Sequence, residues 1–194
     1  MALTALLDKR DIGGITPAGK GLPRLSPLKA WPRAADRYNR PSTAPLRKLH
    51  LMPQTTFHIE EIAAEETLAL RQAVLWPDHP RGFSRVENDA EALHLGGFLG
   101  ARLIGVISLY DEGDSARIRK FATLPEEQGK GYGSALFSEA LARAQAAGHR
   151  RVWLSGRETA RAFYEKRGFS VFGAPYEKEG LPYRALERDL TTGL

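Results

Sequence analysis

The 194-residue chain contains no cysteine. This excludes disulfides, thiolate metal sites and a cysteine nucleophile, and it is compatible with a reducing compartment. No apolar run approaches the roughly 18 residues that a membrane-spanning helix needs. The opening apolar stretch, residues 2–7, is too short for a secretion signal and is followed by Asp8 and Asp11. We therefore expect a cytoplasmic protein without a membrane partner.

Positive charge is concentrated at the start of the chain. Residues 1–50 contain 10 of the 28 Lys and Arg but only 3 of the 23 Asp and Glu, together with six of the twelve prolines. No helical or strand period survives between these prolines, which is typical of disorder. We predict a basic, proline-rich disordered leader over residues 1–51 and one folded domain over residues 52–194. A solvated extension is the simplest role for the leader; contact with nucleic acid or an acidic partner, or weak targeting, stays open.

Methionine is nearly absent as well. Met1 and Met52 are the only two methionines, and Met52 stands just before the first predicted element of the domain. We hypothesise that native translation begins at Met52, so that the leader is not made. An intact mass of the native product that includes residues 1–51 would reject this.

The order of secondary structure beyond residue 55 indicates an α/β fold of mixed α+β type. Predicted strands are residues 56–62, 93–99, 102–110, 117–124, 151–155, 169–172 and 183–190, and predicted helices are residues 65–75, 131–147 and 159–167. Strands follow one another directly at first and are later separated by helices. This order predicts a mixed sheet. Residues 173–182 read as loops that could cover a site or contact a second subunit, which leaves a homodimer open.

A glycine-rich turn between a strand and a helix is the clearest functional signal. The strand stops at Pro125, a polar turn follows, and the helical pattern begins near Ser134. Such a turn directs several backbone N–H groups and a helix N-terminus at one point, which suits a phosphate or pyrophosphate. Gly131 and Gly133 permit close approach because they lack a Cβ. The spacing fits neither a Walker A loop nor a complete G-x-G-x-x-G dinucleotide motif, and a glycine turn without a ligand stays an alternative.

Two motifs together resemble one known family. Gln128-x-x-Gly131-x-Gly133 is similar to the acyl-CoA-binding motif Q/R-x-x-G-x-G/A of the GNAT acyltransferase superfamily. The block ARAFYEKRGF at residues 160–169 is similar to that superfamily's late helix, A-x-x-F-Y-x-x-x-G-F. The resemblance covers roughly residues 56–190. It implies a mostly antiparallel central sheet, splayed open in its middle and flanked by helices.

The resemblance also implies the roles of particular residues. Acetyl-CoA would be the co-substrate. Its pantetheine chain would pair with the backbone of Phe121, Ala122 and Thr123. Its pyrophosphate would be held by the turn, namely Gln128, Gly129, Lys130, Gly131, Tyr132, Gly133 and Ser134. Tyr164 would be the general acid, protonating or hydrogen-bonding the leaving sulfur. Arg157 stands where many members have an asparagine that contacts CoA, and it could still reach a CoA phosphate or carbonyl.

The sequence leaves the general base and the acceptor-binding residues open. Glu87, Asp89 and His94 fall where the early strands would face a substrate, although His94 reads as a strand-surface residue and Glu126 as a turn residue. A water relay would also suffice. Arg71 could bind a substrate carboxylate or simply cover the sheet, whereas Trp76 reads as structural. We predict no metal.

Three functions are compared on these observations. The first is an N-acetyltransferase that moves an acetyl group from acetyl-CoA to a small-molecule or peptide amine by direct attack in a ternary complex. The second is a non-catalytic acyl-CoA-binding regulatory module. The third is a nucleic-acid-associated protein acting through its basic leader, which we expect least; the folded domain itself carries no excess of positive charge that would favour nucleic-acid binding. The complete glycine-rich turn and the presence of Tyr164 favour the N-acetyltransferase.

Overall fold

The computed structural model describes residues 56–191. The leader and the Met52 hypothesis lie outside the described residues. Seven strands are present: β1 (Phe57–Glu61), β2 (Leu93–Leu99), β3 (Arg102–Glu112), β4 (Ser115–Thr123), β5 (Arg151–Arg157), β6 (Ser170–Lys178) and β7 (Leu181–Asp189). Three α-helices accompany them: α1 (Ala64–Leu75), α2 (Tyr132–Ala146) and α3 (Arg161–Glu165).

The strands form one mixed sheet in the order β1-β2-β3-β4-β5-β7-β6. All neighbours are antiparallel except β4 and β5, which run parallel and are connected through α2. A parallel pair needs such a crossover, because a tight turn can join only antiparallel strands. The predicted fold class, a mixed and mostly antiparallel sheet with flanking helices, is confirmed.

The sheet is open between its two parallel strands. β4 and β5 pair only from Ser115 opposite Arg151 to Ile118 opposite Leu154. Beyond this point β4 also departs from β3, since Arg119 pairs with Ser108 while Ala122 pairs with Val106. One residue of β3 thus faces two of β4, which is a β-bulge. Lys120 lies in it with a φ of 53°. The backbone of residues 120 and 121 is therefore released from regular pairing with β3 where the wedge opens.

Helix α2 covers one face of the sheet with an apolar stripe. Its buried residues are Leu136, Phe137, Ala140, Leu141 and Ala144, which follow the helical repeat of three and four. Phe137 is fully buried, and its ring centre lies 5.5–5.7 Å from those of Phe121, Phe163, Tyr164 and Phe169. The central helix, β4 and α3 are thus locked together around one aromatic side chain.

Helix α1 is attached to the sheet by a buried arginine. Arg71 is fully buried, and its Nη1 donates to both carboxylate oxygens of Asp89, at 3.0 and 2.9 Å. Its Nη2 donates to the hydroxyl of Ser108 at 2.6 Å and lies 3.2 Å from Nδ1 of His94. Asp89 also accepts a hydrogen bond from the Tyr110 hydroxyl. Of the two roles left open for Arg71, the structure shows the structural one.

Ionisation states within this group of side chains follow from burial and pairing. Burial alone would raise the pKa of Asp89, but the hydrogen bonds from Arg71 and Tyr110 outweigh it and hold that pKa below its ordinary value. Burial lowers the pKa of His94. His94 is 3% exposed, so its interpretation as a strand-surface residue was wrong. Gly96 and Gly97 give β2 no polar or apolar signal, so the sequence did not indicate which face of the sheet His94 occupies.

The last hairpin differs from the prediction. A strand was expected only over residues 169–172, followed by loops over residues 173–182, but β6 continues to Lys178 and pairs with β7. A register shift between Phe172 and Tyr176 accommodates Gly173-Ala174-Pro175, which an edge strand tolerates because one of its sides needs no partner. Glu179 and Gly180 both have positive φ, as tight two-residue hairpin turns require. The loop interpretation was therefore wrong.

Candidate active site

A cleft of about 680 Å³ fills the wedge between β4 and β5. The bulged half of β4, the glycine turn and the start of α2 form one side, and β5 and α3 form the other. The end of α1 and the β6–β7 hairpin line the rest of the cleft. Nine of the eleven predicted site residues line it: Phe121, Ala122, Thr123, Gln128, Gly129, Gly131, Gly133, Ser134 and Tyr164.

Backbone donors converge at the start of α2. Gly131 precedes the helix with a φ of 91°, and the first bond of the helix runs from the N–H of Ala135 to the carbonyl of Gly131 at 3.0 Å. The N–H groups of Tyr132, Gly133 and Ser134 come before that bond and have no partner within the helix. Together with the helix dipole they form a site suited to an anion.

The glycines of the turn have different physical roles. A Cβ on Gly131 would meet nothing within 4 Å, so this glycine is required by its positive φ and borders open space. A Cβ on Gly133 would lie 3.0 Å from Oγ1 of Thr123 and 3.4 Å from Cζ of Phe121. Gly133 thus lets α2 begin directly against β4, which brings the helix N-terminus to the strand's backbone.

Side chains of the turn mostly stabilise the turn itself. Gln128 donates its amide to the Thr123 carbonyl at 2.9 Å. Lys130 pairs with the buried carboxylate of Glu127 at 3.0 Å, and the Tyr132 ring packs 4.8 Å from that of Phe57. Lys130 and Tyr132 are the two predicted residues whose side chains do not line the cleft. Their contribution to a ligand would come from the backbone.

Arg167, which the sequence did not single out, ties α3 to the start of α2. Its guanidinium donates to the Ser134 hydroxyl at 2.5 Å and to the Phe163 carbonyl at 2.6 Å. It also stacks 3.5 Å from the centre of the Phe163 ring. Burial lowers the pKa of Arg167, yet it stays charged at neutral pH.

Tyr164 borders the cleft from inside the core. It is 8% exposed, and burial raises its pKa to about 12. The opposing strand makes room for its ring at Gly156, where a Cβ would lie only 2.6 Å from Cε2 of Tyr164. Gly156 was missed in the sequence, although a glycine inside a strand is a known sign of close approach.

None of the four residues considered as a base lines the cleft. Asp89 and His94 belong to the group around Arg71, and Glu87 is exposed. Glu126 is the turn residue expected and pairs with Arg102. Arg157 does line the cleft, with Nη2 donating to the Leu75 carbonyl at 3.0 Å.

The far end of the cleft is lined by residues that belong to neither sequence motif. Trp76, Tyr176, Lys178 and Tyr183 come from the end of α1 and from the final hairpin. Trp76 is 7% exposed and packs edge-on against Phe83 at 5.2 Å, so it is structural as expected, yet it also forms part of the cleft wall. The sequence did not indicate that these residues line one cleft, because they are distant along the chain and meet only in the tertiary fold.

The described part of the chain contains neither a metal-binding cluster nor a helix able to span a membrane. Over residues 56–191, no group of three or more His, Asp or Glu side chains is arranged to hold a metal ion. No helix within the same residues has the length and apolar character needed to cross a bilayer.

A splayed mixed sheet with a turn suited to an anion at the mouth of its wedge fits an acyltransferase that uses acyl-CoA. The model of the Acetyltransferase (GNAT) family matches residues 54–169, well over half of the chain. The chain therefore belongs to the GNAT acetyltransferase family, as its two motifs predicted.

Known proteins agree with this assignment. Over 132 residues the chain is 28% identical to the uncharacterized N-acetyltransferase YitI of Bacillus subtilis, covering 63% of this chain and 89% of that protein. A provisionally named N-acetyltransferase from Lactobacillus plantarum shares the fold with a TM-score of 0.63 and 24% identity, covering 69% and 98% of the two chains. A GNAT acetyltransferase from Elizabethkingia anophelis, solved with acetyl-CoA bound, has a TM-score of 0.56, 16% identity and coverages of 69% and 98%.

Proposed function

We propose that this protein transfers an acetyl group from acetyl-CoA to a primary amine by direct attack within a ternary complex. The observation that carries the proposal is the opening of the sheet at the β4 bulge, with the anion-binding turn directly beyond it. These two features support the proposal because both border one cleft, the released strand being suited to a thioester arm and the turn to a pyrophosphate.

Two parts of acetyl-CoA, the pantetheine chain and the pyrophosphate, fit the residues present. Beyond Ile118, no strand within residues 56–191 pairs with β4 on its β5 side, so the backbone of Phe121, Ala122 and Thr123 can pair with the extended amide chain of pantetheine. The turn from Gln128 to Ser134 would hold the pyrophosphate with backbone N–H groups. The open space at Gly131 leaves room for it.

Acetyl-CoA supplies an activated thioester whose carbonyl the neutral amine attacks. The C–N bond forms as the C–S bond breaks, CoA leaves as the thiolate, and the proton lost by the amine passes through water to solvent. The first contribution of the protein is to hold acetyl-CoA and the amine side by side, which removes much of the entropic barrier to their reaction. A backbone N–H released by the β4 bulge is the natural donor to the developing oxyanion, and such a donor typically contributes 10²- to 10³-fold in rate. This donor needs no particular side chain.

Tyr164 would act on the leaving sulfur. A free thiol has a pKa of about 8.5, well below the value of about 12 to which burial raises the pKa of Tyr164. Complete proton transfer from Tyr164 to the thiolate would therefore be uphill. Of the two roles predicted, we infer the hydrogen-bond donor, which stabilises the sulfur's negative charge as it forms.

The domain limits and the location are part of the same proposal. Residues 52–194 would constitute the acyl-CoA N-acyltransferase domain, in the cytoplasm. A regulatory module that binds acyl-CoA without turnover is the outcome to be excluded by experiment.

Titration calorimetry of the full chain tests the co-substrate. Acetyl-CoA should bind with a Kd in the micromolar range, whereas NAD should not bind, because the turn lacks the dinucleotide spacing. Desulfo-CoA should still bind through its pyrophosphate. Absence of acetyl-CoA binding to folded protein would reject the proposal, and binding without turnover on any amine would favour the regulatory module.

Replacement of the tyrosine tests the chemistry. Tyr164→Phe should lower kcat by about 10²-fold with little change in acetyl-CoA affinity, because the ring and its packing remain. Since the pKa of Tyr164 is raised to about 12, the wild-type rate should not fall from loss of its proton below about pH 11. Steady-state rates from pH 6 to 10.5 check both points. Unchanged turnover, or a wild-type decline near pH 10 that the variant lacks, would contradict the role.

A further inference from the structure

Arg167 determines which way the Ser134 hydroxyl can donate. A guanidinium carries only N–H donors and no acceptor, so the Ser134 oxygen must be the acceptor in its 2.5 Å contact with Nη2 of Arg167. The one hydroxyl hydrogen is thereby left for another acceptor. Within residues 56–191 the Ser134 hydroxyl has no second hydrogen-bond partner. Because Ser134 lines the cleft in the first turn of α2, this hydrogen is available to a group in the cleft.

Arg167 is itself held in place from two directions. Its Nη1 donates to the Phe163 carbonyl at 2.6 Å, and its guanidinium lies 3.5 Å from the centre of the Phe163 ring. Its own carbonyl accepts a hydrogen bond from Nη1 of Arg188 at 2.9 Å. Since side chain and backbone are both fixed before a ligand arrives, little further ordering is needed when one binds.

The charge of Arg167 reaches the start of α2 without a carboxylate beside it. Over residues 56–191 no Asp or Glu forms an ion pair with this guanidinium. Lys130, the cation of the turn itself, is instead paired with Glu127 at 3.0 Å. A hydrogen bond from a charged donor polarises the hydroxyl that accepts it, and this strengthens the hydroxyl's own donation. Ser134 is therefore a better donor to an anion than an isolated serine would be.

We propose that Arg167 is a positioning residue of the pyrophosphate site, which holds the Ser134 hydroxyl so that it donates its hydrogen to a pyrophosphate oxygen of acetyl-CoA. This inference rests on the proposed function. It adds to the turn a residue 33 positions beyond Ser134, which does not itself line the cleft and acts through the serine. Because Arg167 follows α3 by two residues, the same side chain links the anion site to the helix that carries Tyr164.

Ligands with and without a pyrophosphate separate this role from a merely structural one. Arg167→Met in the full chain should weaken acetyl-CoA binding by about tenfold or more, the effect of losing one charge-assisted hydrogen bond. Acetyl-dephospho-CoA, which keeps the pyrophosphate but lacks the 3′-phosphate, should lose affinity by the same factor in calorimetric titrations. Acetyl-pantetheine, which lacks the pyrophosphate, should bind wild type and variant equally when measured by ligand-observed NMR. An equal loss for acetyl-pantetheine, or a loss confined to acetyl-CoA, overturns the inference.

A double-mutant cycle tests whether Arg167 acts through Ser134. Ser134→Ala should also weaken acetyl-CoA binding, and the double variant Ser134→Ala/Arg167→Met should bind within about twofold of the weaker single variant. Losses that multiply would mean that Arg167 acts on the ligand independently, which overturns the inference. Ser134→Ala removes a single oxygen from a half-buried residue, so it keeps the test decisive even if Arg167→Met does not fold. Unchanged affinity in Ser134→Ala would overturn the inference by itself.

Arg161→Met is the matched control on the same helix. Arg161 pairs with Glu158 at 3.5 Å and with Glu165 at 2.7 Å, and it does not line the cleft. The substitution removes the same charge from α3 and should leave acetyl-CoA affinity unchanged. A loss equal to that of Arg167→Met would assign the effect to net charge and overturn the inference. Failure of the wild-type protein to bind acetyl-CoA overturns the proposed function as well, whereas wild-type binding with normal affinity in folded Arg167→Met overturns this inference alone.

Discussion

Gly131→Glu should abolish acetyl-CoA binding, with a loss in affinity of about 100-fold or more. Gly131 has a φ of 91° and borders open space at the start of α2. A glutamate there would place both a side chain and a negative charge where the pyrophosphate is expected. It would repel that group and strain the cap that aims the N–H donors. Calorimetric titration measures the loss directly.

Gly148→Glu is the matched control at the opposite end of the same helix. Gly148 also has a positive φ, of 80°, and a Cβ on it would meet nothing within 4 Å. The substitution thus introduces the same charge with comparable backbone strain, but away from the turn. It should retain acetyl-CoA binding. Normal affinity in a folded Gly131→Glu protein would show that the turn does not hold the pyrophosphate.

Arg71→Met should destabilise the fold by about 3–5 kcal/mol, because it leaves the carboxylate of Asp89 buried without its counterion. Arg71 connects α1 to β2, to β3 and to the loop that carries Asp89. Urea unfolding should show a lower midpoint and a similar slope. The end of α1 supplies Val74, Leu75 and Trp76 to the cleft, so a loosened α1 should also weaken acetyl-CoA binding by the protein that remains folded.

Arg85→Met is the control: it removes an arginine–carboxylate pair at the same helix, α1, that is exposed to solvent and not buried. Arg85 pairs with Glu65, and the two side chains are 56% and 63% exposed. Water screens such a pair, so the change in unfolding free energy should be below about 1 kcal/mol. Equal effects of the two substitutions would mean that the Arg71 group contributes no more than a surface contact.

The sequence predicted the parts of this protein that follow from local chemistry. The turn from Gln128 to Gly133 was readable because glycine and proline limit backbone conformation over short distances. Most strands were found to within a few residues because their apolar patterns are continuous. The helix expected over residues 159–167 is α-helical only from Arg161 to Glu165, since a 3₁₀ turn over Glu158–Ala160 precedes it and Gly168 follows.

What the sequence did not reveal depends on contacts between distant segments. Arg71 and Asp89 are 18 residues apart, and either could equally have faced solvent or a ligand. Lys120 and Lys178 meet at Trp76 only because the wedge and the final hairpin bring them together. The β4 bulge has no signature either, since Lys120 is an ordinary residue in a conformation that pairing with β3 imposes.

The opening between β4 and β5 bears on how such a protein can diverge. Main-chain amides are present whatever amino acid occupies a position, so a site built from them tolerates drift that would destroy a site built from side chains. Under the proposed function, substitution of side chains at the wedge can then alter which amine enters, while the backbone continues to bind acetyl-CoA. Solved structures only 15% to 24% identical to this chain share its fold, as expected if the inherited element is the separation of two strands and not a set of side chains.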